Sequence, residues 1–191
     1  VRLHLAREVL PIWEAAERTE EAGPLSPPFW AFAWAGGQGL SRYVLDHPEL
    51  LRHQHVLDFA SGCGVSAIAA ARCGARVTAS EIDPWALVAV AENARLNGVA
   101  VALAGDVVGT AGDWTTVLAG DVCYQEQASA RIVSWLRTLA ARGTRVLLGD
   151  PGRAFFPRQG IRQLARYRVP TTRDLEGVTE RDTGVFELLP D

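Results

Sequence analysis

The chain has 191 residues, 48 % of them apolar and 21 % charged, with a formal net charge of −3. That length supports a single domain over residues 1–191 with a substantial core. The charge balance offers no strong field for nucleic acid or an anionic membrane, and no apolar run approaches the ~18 residues that cross a bilayer. All 19 basic residues are arginine, which we read as GC-rich bacterial coding. Cys63, Cys73 and Cys123 form no CxxC pair and are odd in number, so a reduced cytoplasmic protein is expected, acting as a monomer. Glu8, Glu14, Glu17, Glu20 and Glu21 argue against a mitochondrial targeting peptide, which should be poor in acids.

Leu3, Leu5, Val9, Ile12, Trp13 and Ala16 recur at helical spacing over 3–21, with Pro11 as a kink. Gly23, Pro24, Pro27 and Pro28 make a connector. An aromatic run, Phe29 to Trp34, leads through Gly36-Gly37-Gln38 into a helical pattern that ends near His47. Residues 1–50 thus read as an N-terminal helical cap on an α/β core over 51–191. Strands are expected near 54–59, 75–80, 100–104, 115–120 and 144–149, and helices near 64–73, 84–97 and 126–141. Asp83-Pro84 starts the second of these helices as cap and first-turn residue, and Asn97-Gly98 ends it. Such alternation predicts a mostly parallel sheet with helices on both faces. Tyr167–Arg173 and Val185–Leu189 alternate like an antiparallel hairpin that finishes the sheet. Arg162, Arg166 and Arg168 are read as the solvated face of a last helix.

The stretch from Val56 to Asp83 carries the chemistry. An apolar run ends in Asp58, a small-residue loop Ala60-Ser61-Gly62-Cys63-Gly64 follows, then an alanine-rich helix and a second run ending in Glu81. Glycines let backbone approach a ligand, and the helix start presents free N–H groups. Gly62 to Ala67 satisfies G-x-G-x-x-A, and Glu81 stands 19 residues beyond Gly62, near the ~20 expected of a ribose-binding acid. A dinucleotide therefore fits the pattern. Two features weigh against it. A carboxylate at Asp58 suits an ammonium better than a diphosphate, and too few residues follow for a second substrate domain. S-adenosylmethionine, with an amino-acid part and a nucleoside part, answers both.

Asp58-Phe59-Ala60-Ser61-Gly62-Cys63-Gly64 resembles the first motif of class I, seven-strand methyltransferases, a Rossmann-like fold. Trp34-Ala35-Gly36-Gly37-Gln38, Gly120-Asp121-Val122-Cys123-Tyr124 and Gly149-Asp150-Pro151-Gly152-Arg153 together resemble the lysine methyltransferases of the electron-transfer flavoprotein β subunit and their bacterial relatives. The resemblance implies S-adenosylmethionine as cofactor, S-adenosylhomocysteine as product and that β subunit as protein partner. It implies that Asp58 lies near the cofactor's amino group, that Ser61, Gly62 and Gly64 line its methionine part, and that Glu81, with Ile82 beside it, holds the ribose. Asp106 would meet the adenine edge. Trp34, Gly36, Gly37 and Gln38 would close over the cofactor. Asp121 and Tyr124 would be catalytic at the opening where methyl leaves sulfur, Asp121 also counting among the cofactor contacts. Cys123 stands where relatives carry an aromatic, which puts the shape of the substrate channel in question.

A lysine nucleophile must be neutral, although its free pKa is near 10.4. Desolvation favours the neutral amine and a lone carboxylate opposes it. Asp121 is therefore assigned an orienting role, with Tyr124 and Trp30 as walls, and Asp121→Ala should abolish turnover yet keep cofactor affinity. A small-molecule N-methyltransferase, or one acting on another protein, is the runner-up, and a silent nucleotide-binding module the alternative outside enzymes. No metal site is expected: His53 and His55 lack a third ligand. Cys63 and Cys73 read as core, and Arg153 as the partner of an acid more than as a substrate contact.

Overall fold

The computed structural model describes residues 1–8 and 27–190. The greater part of the expected 3–21 helix, and the connector as far as residue 26, lie outside them. Residues 1–8 are not helical, contrary to expectation. Their backbone is engaged elsewhere: the Arg2 and His4 amides donate to Asn97 and Asn93 side chains at 2.9 and 2.6 Å, and the Ala6 amide to the Ala31 carbonyl. A 3-10 turn at Phe29–Ala31 precedes helix α1, Ala35–Asp46, and a second, Pro48–Leu50, follows it.

From there strands and helices alternate as the apolar spacing requires. They are β1 (His55–Phe59), α2 (Val65–Arg72), β2 (Arg76–Ser80), α3 (Pro84–Leu96), β3 (Ala102–Ala104), β4 (Thr116–Gly120), α4 (Glu126–Ala141), β5 (Arg145–Asp150), β6 (Ile161–Pro170), α5 (Arg173–Glu176) and β7 (Glu180–Leu188). Each expected strand and helix between 54 and 149 is present within two residues of its predicted bounds. The Asp83 side chain accepts from the Trp85 amide at 2.8 Å, and Gly98 beyond the end of α3 takes φ 65°.

The sheet has the order β3-β2-β1-β4-β5-β7-β6, with β1 to β5 parallel and β7 antiparallel to both neighbours. Alternate residues of each central strand face opposite layers. Val56, Leu118 and Leu147 pack under α1 and α2 with Leu40, Val44 and Ala70. Leu57, Val117, Val146 and Leu148 pack on α4 with Trp135, Leu136 and Leu139. Residues 35–46 of the expected cap therefore form an integral helix of the α/β layers.

The tail departs from the reading in one respect. Arg162, Arg166 and Arg168 lie on β6, a strand, not on a helix. A bulge between Gln163 and Ala165 inserts a residue into this strand. It also switches the inward side: Ile161 packs on the α4 layer, Leu164, Ala165 and Tyr167 on the α1 layer. The arginines are matched across the pair by acids of β7, Arg162 by Glu187 and Arg168 by Asp182.

Candidate functional site

The strand order reverses at β1, which has β2 on one side and β4 on the other. In open α/β sheets ligands bind beyond the carboxyl ends of the strands at such a switch point. The order differs from the six-strand dinucleotide fold by the antiparallel β7 inserted between β5 and β6, so the NAD reading is left with the glycine and Glu81 spacing alone.

The loop after β1 is built from left-handed residues: Ala60 (φ 52°), Gly62 (54°) and Gly64 (81°). A Cβ on Gly62 would meet nothing within 4 Å, so the space in front of it is open to a ligand. Glu81, at the end of β2, accepts from the Gly62 amide at 3.2 Å and the Ile82 amide at 2.8 Å, and burial pushes its carboxyl up. Ile82 beside it is 75 % exposed. A carboxylate flanked by an open glycine and a bare apolar side chain suits a nucleoside: its hydroxyls can donate to the acid and its base face can lie on the isoleucine. Asp106, following β3, caps the Val108 amide and stays half exposed beside Arg131.

Asp58 differs from expectation. It is 2 % exposed, and its Oδ2 accepts from the Ser61 hydroxyl and from the Ala67 amide of α2 at 2.9 Å. Burial pushes its carboxyl up to about 7. Asp58 and Ser61 thus brace the glycine loop from inside, because β1 points its even-numbered residues at α2. An open salt bridge from Asp58 to an ammonium is not what this geometry presents.

The residues expected to close over the cofactor also hold structure. Gln38 Nε2 donates to the carbonyls of Ala33 (2.7 Å) and Pro170 (2.9 Å), tying the entry of α1 to β6. Trp34 Nε1 donates to the Phe29 carbonyl at 2.8 Å. Gly36 sits on the ends of β4 and β5: a Cβ there would overlap the Gly149 carbonyl oxygen, and one on Gly120 would stand 2.9 Å from Gly37 Cα. Gly37 is nearest the loop; its carbonyl accepts from Ser66 of α2 at 3.2 Å.

Asp121 is the hub. It takes φ 58° directly after β4, and its amide donates to the Gly149 carbonyl at 2.9 Å. Its Oδ2 accepts from the amides of Gly36 and Gly37, at 2.5 and 3.3 Å, capping α1. Its Oδ1 accepts from Arg153 Nε (3.0 Å) and Nη2 (2.6 Å). Burial pushes its carboxyl up and Arg153 pulls it back. Both oxygens are thus engaged within the protein, so Asp121 presents no free carboxylate here. The sequence also did not mark the acids that position Arg153. Asp150 Oδ1 accepts from the Gly152 and Arg153 amides, both at 2.6 Å. Glu176, its side chain 2 % exposed, binds Arg153 Nη1 at 3.1 Å and Nη2 at 2.5 Å, and Arg181 at 3.2 Å. The guanidinium carbon lies 5.7 Å from the Trp34 ring centroid.

Tyr124 is 50 % exposed, with its ring edge on Phe29 at 5.6 Å, and Trp30 is partly buried in the preceding turn. Cys123 is 1 % exposed in the α4-side core, its thiol pushed up to about 12 by burial. The residue at this position therefore packs the core and does not line the opening. His55 Nδ1 pairs with Asp113 at 3.0 Å, at the other end of the sheet. Among the described residues no group of three His, Cys, Asp or Glu side chains could hold a metal ion.

A family model described as ribosomal protein L11 methyltransferase (PrmA) matches residues 40–119. An electron transfer flavoprotein beta subunit lysine methyltransferase of Rattus norvegicus is 41 % identical over 178 residues, covering 87 % of this chain and 68 % of the relative. The Mus musculus protein of the same name is 40 % identical over 187 residues, covering 93 % and 72 %. In structure the chain is similar to magnesium protoporphyrin IX methyltransferase from Synechocystis with bound SAM, at a TM-score of 0.55 and 22 % identity over 78 % of each chain.

Proposed function

This chain belongs to the electron transfer flavoprotein β-subunit lysine methyltransferase family, and we propose that it methylates a lysine on the β subunit of an electron-transfer flavoprotein. It is an S-adenosylmethionine-dependent methyltransferase by family and fold. The observation that carries the substrate reading is the meeting of two elements above the switch point. The open Gly62 loop with Glu81 and Ile82 lies on one side, and Asp121 to Tyr124 with the aromatic entry of α1 on the other.

The residues present fit the cofactor. Glu81 would hold its ribose hydroxyls, Ile82 its adenine face, and the backbone at Gly62 its amino-acid part, with Asp106 at the base edge. Bound S-adenosylmethionine supplies a methyl group on a sulfonium, ready for in-line displacement and leaving S-adenosylhomocysteine. The chain has to align the amine and keep it neutral. Tyr124 and Phe29 form an apolar rim that desolvates an entering lysine, which favours loss of its proton. Three buried free cysteines support work in a reducing compartment such as the cytoplasm.

Reaction of the purified protein with S-adenosylmethionine and intact flavoprotein, read by peptide mass spectrometry, tests the reading. Methylated lysine on the β subunit is expected. An unmodified β subunit from protein that still binds the cofactor in a calorimetric titration would sink the substrate, and absence of binding heat would sink the cofactor assignment.

A further inference from the structure

Arg153 is held on two carboxylates at once. It is bidentate to Asp121 Oδ1 on one edge and paired with Glu176 on the other, and its guanidinium rests against Trp34. This arrangement is largely closed to water, with side-chain exposures of 18 %, 10 % and 2 % for Arg153, Asp121 and Glu176. Asp121 stands three residues before Tyr124, where the substrate amine would enter.

We propose that Arg153 is a positioning residue that cancels the charge of Asp121 and so lets the target lysine lose its proton at the mouth of the site. This rests on the lysine-methyltransferase reading given above. An amine next to a lone carboxylate is held as ammonium, because an opposite charge favours the charged form. Ammonium has no lone pair to form the new N–C bond, so its proton must pass to water before the C–S bond breaks and its electrons remain on sulfur. A carboxylate already paired with a guanidinium presents almost no net charge to that amine.

The other groups facing the pair keep the balance. Among the described residues the α1 end supplies the Gly36 and Gly37 amides and the Trp34 ring. Asp150, in the turn after β5, is taken up by two amides. On the hairpin side, Arg181 offsets Glu176 at 3.2 Å. In the loop after β4, burial pushes both the Cys123 thiol and the Tyr124 phenol up, so both stay neutral. The Glu81 charge adds to the rise of the Tyr124 phenol, after burial. Among the described residues Asp121 and Glu176 thus meet Arg153 and Arg181, and Asp150 adds a third carboxylate, held by the Gly152 and Arg153 amides.

The experiment is the pH profile of the single-turnover methyl-transfer rate, with cofactor and flavoprotein saturating, for the wild type, Arg153→Gln, Arg153→Lys and Glu176→Gln. The rate rises with pH as the bound amine loses its proton. Arg153→Gln leaves Asp121 uncompensated, still ionised at alkaline pH by the α1 amides, and moves that limb up by about one pH unit. Arg153→Lys keeps the charge, so its limb stays near that of the wild type even where the rate falls. Glu176→Gln leaves Arg153 in excess and moves the limb down. Limbs that coincide in all four proteins, with rates merely scaled, would overturn the proposal and leave Arg153 a structural brace. Where Arg153→Gln does not fold, as judged by its melting curve, the opposite behaviour of Arg153→Lys and Glu176→Gln still decides. A wild type that never methylates the flavoprotein removes the lysine reading itself, and the proposal with it.

Discussion

Replacing Asp121 with alanine separates a substrate role from a structural one. The change removes two bonds to the first amides of α1 and the bidentate contact with Arg153. Loss of a cap costs about 0.5–2 kcal/mol, and breaking a buried ion pair about 3–5 kcal/mol. The lower end of the second range applies, because Arg153 keeps Glu176 and is not left unpaired. Alanine must also adopt the φ of 58° at this position, at about 1 kcal/mol. Together these come to about 5 kcal/mol, which for a chain of this size lowers the melting temperature by about 10–20 °C. Gly37 lies against Val65 and Ser66, which open α2 directly after the glycine loop, so loosening α1 should also weaken cofactor binding. Thermal unfolding followed by circular dichroism, with a calorimetric titration of S-adenosylmethionine, reads both effects. A variant that melts within about 2 °C of wild type and binds cofactor normally while losing turnover would refute this account, and would return Asp121 to a purely substrate-facing role.

Gly149→Ala places a methyl against the Gly36 carbonyl oxygen and 2.7 Å from Leu40 Cγ; overpacking against backbone should cost about 3 kcal/mol, read as a lower urea midpoint at unchanged m-value. Gln38→Ala removes two bonds between α1, Ala33 and Pro170 and should cost about 1–2 kcal/mol with cofactor affinity unchanged; a large drop in affinity would place Gln38 back at the cofactor. Asp58 binds its proton more tightly folded than unfolded, having risen from 3.8 to about 7, so its contribution to stability is full below its unfolded pKa and is lost as pH rises through about 7. Asp58→Asn should therefore flatten the fall in stability between pH 5 and pH 8, and parallel urea-unfolding profiles for wild type and variant would contradict that.

Whatever depended on local spacing was legible in the sequence. Val56, Leu57 and Phe59, or Val146, Leu147 and Leu148, announce strands buried on both faces, and Asp83-Pro84 announces a helix start. What depended on which face a polar residue takes was not. Asp58 read as a ligand because it ends a strand beside a glycine loop, yet the strand's alternation turns it inward to Ala67 and Ser61. Arg162 and Arg166 read as the solvated face of a helix, yet both lie on a strand. The partnership of Asp121 with Arg153 spans 32 residues and that of Arg153 with Glu176 spans 23, and nothing local encodes either.

A signal for that partnership was nonetheless present. Two neighbouring parallel strands, β4 and β5, each finish in Gly-Asp, and their ends meet the Gly36-Gly37 pair that opens α1. The glycines and the acids serve one purpose. With no Cβ on Gly120, Gly149 or Gly36, the α1 backbone settles directly on the two strand ends, and the acid following each strand glycine reaches amides within one residue's length. Asp121 takes those of α1, and Asp150 takes those of the turn that aims Arg153 back at Asp121. A Cβ on any of the three would have to lift the helix. Lifting it would draw the Gly36 and Gly37 amides away from Asp121 and shift the balance of charge at the mouth of the site. The glycines at these strand ends thus set how closely α1 approaches Asp121 through the distance they permit.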